Sequence, residues 1–177
     1  MRFLPQSIAG VFVVEAAPHI DERGAFARTF CTQEFEAAGI SFTTAQINLS
    51  TNPKRHTLRG LHYQDPPYAE AKFVRAVRGR AFDVVVDLRR NSPTHRRWLG
   101  IELDSRKMNA VFVPEGCAHG FLTLEDDTDI LYQMGRLFVD GHAKGVRWND
   151  PAFAITWPAP PALISPRDAA YADYGNS

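Results

Sequence analysis

Between Thr57 and Arg78 the chain reads TLRGLHYQDPPYAEAKFVRAVR, setting Arg59, His62, Gln64, Glu70 and Lys72 in two strand-like runs joined by a Pro-Pro turn. Strands that bury one face seldom carry ionisable groups so densely. A histidine beside fixed cations on rigid sheet is what proton transfer on an anionic or carbonyl substrate requires. A solvated strand edge with basic side chains is the competing reading. Strict alternation sends Arg59 and His62 to opposite faces; a bulge at Gly60 would bring both into one pocket.

Other candidates are scattered. His119 follows a turn in PEGCAHGF, Tyr132 sits in an apolar run where an interior phenol needs a partner, and Arg23 lies in the turn DERGAF. Gln46 and Asn48 are two apart on one strand, so their amides share a face. Each has a plain structural alternative: core packing for Tyr132, loop stitching for the amides, a surface ion pair for Arg23. The hexapeptide PEGCAH resembles the second cupin motif, PxGxxH, which ends in a metal-ligating histidine. The HxH of the first cupin motif is missing, because His62 is followed by Tyr63 and Gln64. A closed Zn or Fe site takes three or four ligands, so the expectation is cupin-like architecture without metal.

The elements that must position these groups read as strands. Twelve Gly and twelve Pro punctuate short apolar runs. Strands are expected at Gly10–Val14, Phe42–Ser50, Thr57–Gln64, Lys72–Val77, Ala81–Leu88, Trp98–Leu103, Ala110–Val113, Gly120–Leu124 and Asp129–Leu137. In FDVVVDL one face carries Phe82, Val84, Val86 and Leu88, with Asp83 and Asp87 on the other. A single helix is expected over Thr32–Ala38, capped by Thr32, with Glu34 and Glu36 near its positive end and Gly39 stopping it. About nine strands with no alternating helices mean a mainly β protein, an antiparallel sandwich or barrel. At 177 residues it is read as one domain, 1–177, with a core to about 158 and a proline-stiffened surface tail from 159.

Twenty basic and twenty acidic residues balance, which argues against a nucleic-acid partner but leaves room for a local anion pocket. Cys31 and Cys117 follow no metal spacing and read as buried free thiols. No apolar run reaches the ~18 residues of a membrane span, and Met1-Arg2-Phe3 opens no signal peptide. A soluble cytoplasmic protein is expected.

Six motifs in order, RGxF, QxNxS, LRGLHYQxPPxAExK, FDVxVDLRRxSPT, PxGxAHGF and GVRWNDPAxxIxWP, run from Arg23 to Pro158. Together they closely resemble the dTDP-4-dehydrorhamnose 3,5-epimerase family of deoxysugar biosynthesis. The resemblance implies a double-stranded β-helix (jelly roll), a homodimer, a nucleotide-diphospho-sugar substrate and neither metal nor organic cofactor. It implies His62 as general base, oriented by Asp168, with Lys72 stabilising an enolate oxygen and Tyr132 returning a proton from the opposite face. Arg23, Phe26, Gln46, Asn48, Arg59, His119, Phe138 and Arg167 are the implied substrate-binding residues.

Arg28 and Ala143 stand where family members often carry glutamates, and Phe138 where a tyrosine stacks on thymine. A CDP-linked 4-keto sugar and epimerisation at one carbon alone therefore stay open. The alternative classes are a ketoisomerase of the same fold, a non-catalytic sugar-nucleotide-binding jelly roll and a metal-dependent cupin dioxygenase.

Overall fold

The computed structural model describes residues 1–175, which form fourteen strands and two short helices. One sheet has the order β1 (Arg2–Pro5), β2 (Phe12–Glu15), β10 (Asn109–Val113), β7 (Lys72–Arg78), β12 (Thr128–Met134), β5 (Gln46–Asn52). The facing sheet runs β13 (Ala143–Gly145), β6 (Thr57–Gln64), β11 (Cys117–Thr123), β8 (Arg80–Asp87), β9 (Trp98–Asp104). The pairs are antiparallel, except that β14 (Leu163–Ile164) joins β6 in parallel. A separate hairpin, β3 (His19–Asp21) with β4 (Gly24–Phe26), is exposed along its length. This is the jelly-roll architecture expected.

The alternation in the sequence explains how the sheets bury both faces. Val74, Ala76, Val85, Val111, Val113, Phe121 and Ile130 meet between the sheets, with Tyr132 packed against them. Outside the first sheet, Phe35, Phe42, Phe73 and Phe112 form a second cluster under helix α1 (Thr32–Ala37). Outside the second, Leu61, Val84, Val86, Ala118, Val146 and Phe153 pack beneath the C-terminal segment. The face Phe82–Val84–Val86–Leu88 thus belongs to this outer cluster, while Asp83 and Asp87 are buried in the opposite direction. Asp87 survives there because Arg89, Ser92 and Thr94 all donate to it, Arg89 through Nε at 2.8 Å and Thr94 through Oγ1 at 2.7 Å.

Several expectations are corrected. Cys31, not Thr32, is the helix N-cap, and no side chain caps it. Glu34 instead accepts from the Met1 ammonium and from Arg28. Gly39 does end the helix: with φ +76 it lets its own N–H reach Glu36 O and that of Ile40 reach Phe35 O. Phe42 lies ahead of β5, drawn into the phenylalanine cluster rather than the strand. Cys117 is buried, which pushes its thiol up to about 12, but Cys31 is only half-buried. The Pro66-Pro67 turn joins the two runs not as a hairpin but across the sandwich, since β6 and β7 lie in opposite sheets. The tail after Pro158 runs largely over the surface but also supplies β14 and helix α2 (Pro166–Ala169).

Candidate active site

A cavity of about 310 Å³ opens between the sheets, lined by Asn48, Arg59, His62, Lys72, His119 and Tyr132, with Phe138, Ala143, Lys144 and Arg167 toward its rim. Its shape depends on an irregularity in β6. His62 pairs with His119 and Arg59 with Phe121, so Gly60 and Leu61 together oppose Gly120 alone. This is the bulge expected at Gly60, and it returns Arg59 and His62 to one face. The two backbones touch there: a Cβ on Gly60 would lie 2.6 Å from Gly120 Cα, and one on Gly120 2.6 Å from Arg59 O. Only glycine fits either position.

His62 is half-exposed, and its Nε2 lies 2.7 Å from Asp168 Oδ1. A carboxylate accepts only, so in the neutral imidazole Nε2 carries the proton and Nδ1 keeps a free lone pair. Asp168 is itself fixed: Oδ2 accepts from Gly60 N–H at 3.1 Å, and its own N–H donates to Ser165 Oγ, the cap of α2. Burial pushes its carboxyl up, but the bonds from His62, Gly60 and Ser165 outweigh this and hold it below the usual range.

Lys72 is buried on the facing sheet, its Nζ 3.2 Å from Glu70 Oε1 and donating to His62 O at 2.8 Å. Burial lowers its affinity for a proton, and Glu70 opposes that. On the second sheet, Nε2 of buried His119 meets Asp83 Oδ2 at 2.8 Å. Burial raises the Asp83 carboxyl, with His119 pulling the other way, and its Oδ1 has no partner among the described residues. Tyr132, edge-on to His119 at 5.9 Å, is pushed well above the ordinary phenol range by burial and by Asp83, so it stays protonated. The groups that face each other are thus His62 and His119 from one sheet, Lys72 and Tyr132 from the other.

The remaining candidates divide. Arg59 is held by Asn52, its Nε donating at 2.8 Å. Arg167 lines the rim and donates to Ala143 O at 3.1 Å. Gln46 and Asn48 do share a face, 3.4 Å apart, and Gln46 Oε1 accepts from Phe138 N–H. Arg23 and Phe26, on the exposed hairpin, do not line this cavity; Arg23 is 85 % exposed and paired with Asp21. Arg28 is tied to Glu34, away from the cavity. Sequence reasoning gave no role to Asp83, Glu70, Gln64 or Asn52. A charge inside FDVVVDL was the visible signal for Asp83, since the alternation already sets it against the valines. Among the described residues no three His, Cys, Asp or Glu side chains converge as a metal-ligand group. No helix there is long and apolar enough to cross a membrane.

The jelly roll thus gathers in one inner pocket a histidine paired with a carboxylate, a buried lysine and a protonated tyrosine. Comparison with known proteins gives the family. The family model for dTDP-4-dehydrorhamnose 3,5-epimerase matches residues 5–175. The dTDP-4-dehydrorhamnose 3,5-epimerase of Shigella flexneri is 38% identical over 169 residues, 95% of this chain and 93% of that one. A dTDP-4-dehydrorhamnose 3-epimerase of Streptomyces niveus is 40% identical over 95% of this chain and 81% of its own. The crystal structure of the 3,5-epimerase from Bacillus anthracis str. Ames, with TDP and PPi bound, superposes with a TM-score of 0.94 at 32% identity, covering 97% of this chain and 98% of that one. The chain belongs to the dTDP-4-dehydrorhamnose 3,5-epimerase family, and its enzyme class is isomerase, a carbohydrate epimerase.

Proposed function

We propose that the protein epimerises a nucleotide-linked 4-keto-6-deoxyhexose, of the dTDP-4-dehydro-6-deoxyglucose type, at C3, C5 or both. The observation that carries this is the opposition of His62 and Tyr132 on facing sheets across one cavity. A hydrogen on a carbon beside the C4 ketone is acidified because its loss leaves an enolate. His62 Nδ1 takes that proton, and Asp168 stabilises the imidazolium that forms. Charge develops on the C4 oxygen, where Lys72 supplies preorganised positive potential and donors. Inversion needs a proton from the other face, and the protonated phenol of Tyr132 is the donor available there.

Arg59 and Arg167 serve the diphosphate with forked donors, and Phe138 offers a stacking face to the base. Arg23 and Phe26 act in trans in a homodimer, as their exposed hairpin and distance from their own cavity suggest. Exposed Ile47 and Leu49 on edge strand β5 are consistent with such an interface. The protein works in the cytoplasm, in keeping with two unpaired cysteines. A single 3-epimerase among the relatives named above keeps reaction at C3 alone as the second reading.

The test is incubation with dTDP- and CDP-4-keto-6-deoxyglucose in deuterium oxide, followed by proton NMR. Deuterium at both carbons supports double epimerisation, and at C3 alone the 3-epimerase reading. No exchange with either nucleotide would end the proposal.

A further inference from the structure

Gln64, the last residue of β6, is buried and uses both ends of its carboxamide. Nε2 donates to Glu70 Oε2 at 2.7 Å, with longer contacts to Leu137 O at 3.2 Å and Tyr68 O at 3.3 Å. Oε1 accepts from Val139 N–H at 2.8 Å. Chemistry fixes this orientation, since a carboxylate only accepts and a backbone N–H only donates. Glu70, through its other oxygen, is the partner of Lys72.

One amide therefore touches both residues that flank Phe138 and also the carboxylate beside the buried lysine. Phe138 has little else to hold it. It lies in the connection between β12 and β13, its side chain is largely exposed, and its own N–H is anchored by Gln46. We infer that Gln64 is a positioning residue that sets Phe138 over the nucleotide end of the pocket and, through Glu70, orients Lys72 at the reacting end. The inference rests on the epimerase reading for the identity of the two ends.

Three variants of the full chain test it: Gln64→Leu, Gln64→Glu and Phe138→Ala. Binding is read by calorimetry with whichever of dTDP, UDP or CDP the wild type binds tightest. Gln64→Leu loses both contacts and should raise Kd about tenfold, the scale of one or two hydrogen bonds. In a Phe138→Ala background the same change should add less than about twofold, because the two residues act as a unit. Gln64→Glu keeps the 2.8 Å acceptor for Val139 but can no longer donate to Glu70, and gives up the longer contacts to Leu137 O and Tyr68 O. Its Kd should stay within about threefold of wild type while kcat falls at least about tenfold, a split that general destabilisation does not produce.

Full additivity of Gln64→Leu and Phe138→Ala overturns the inference, as does a Gln64→Glu variant with wild-type kcat. If Gln64→Leu does not fold, the Gln64→Glu split decides alone. Nucleotide binding needs no turnover, so an enzyme that binds nucleotide but leaves the sugar untouched counts against the epimerase reading, and the binding cycle still decides the role of Gln64. No binding of any of the three nucleotides overturns both.

Discussion

Asp168→Asn is the substitution whose cost the geometry defines most closely. Asp168 uses one oxygen for His62 Nε2–H at 2.7 Å and the other for Gly60 N–H at 3.1 Å. An amide has one oxygen, so one of these donors must lose its acceptor. If the oxygen stays with Gly60, the amide NH₂ faces Nε2, forces the imidazole proton onto Nδ1 and removes the base. If it turns to His62, a buried backbone N–H is left facing a donor, at about 1–3 kcal/mol. Either way the imidazolium loses its counter-charge. Loss of about 3–5 kcal/mol of transition-state stabilisation corresponds to roughly 10²–10⁴ in kcat. Asp168 does not line the cavity that holds Lys72 and Tyr132, so KM should change less than about threefold. The assay is steady-state epimerisation with the 4-keto sugar nucleotide, run at 25 °C beside a thermal melt. A variant that folds and keeps kcat within about threefold of wild type refutes the orienting role.

Glu70→Gln removes the anion that opposes the desolvation of Lys72, so the lysine loses its proton at lower pH than before. The charged form exists below its pKa, and the alkaline limb of the kcat profile should therefore move to lower pH; an unmoved limb contradicts the role of Lys72. Asp87→Asn should cost about 2–4 kcal/mol at neutral pH, read by urea denaturation. The bonds from Arg89, Ser92 and Thr94 overcome burial to depress the Asp87 carboxyl, so its stabilisation is full above the unfolded value and lost on acidification. The gap between wild type and variant should thus begin to narrow as pH falls past about 4 and go on narrowing well below it. Gly120→Ala pushes a methyl against Arg59 O and Gly60 Cα, displacing the bulge that aims His62. A misplacement of about 1 Å should lower kcat about 10²-fold.

The sequence was most readable where one side chain per strand position had one job. Thr57–Gln64 was bounded to the residue because Gln64 precedes an Asp-Pro-Pro turn, and Gly60 announced its own bulge. The alternation of FDVVVDL was legible too. What lies beyond it, namely that both faces are buried, was not, because the covering layer comes from residues 146–157, with no strong strand pattern. Short strands such as β1, β13 and β14 escaped notice for the same reason: their pairing is decided by tertiary neighbours rather than by period. Asp168 was found only through family resemblance, since 106 residues separate it from His62. Nothing local marks it except the Ser165 cap that starts its helix. Gln64 and Glu70 stood in the first stretch read, yet their partners lie partly in the Phe138 connection, which no periodicity foretells.

The central claim is that His62 removes a sugar proton and Tyr132 returns one on the other face. Proton NMR in deuterium oxide, with His62→Ala and Tyr132→Phe beside wild type, tests it most directly. His62→Ala should show no wash-in, and Tyr132→Phe should show wash-in without inversion at one or more centres. Near-normal wash-in by His62→Ala, or full inversion by Tyr132→Phe, would contradict it.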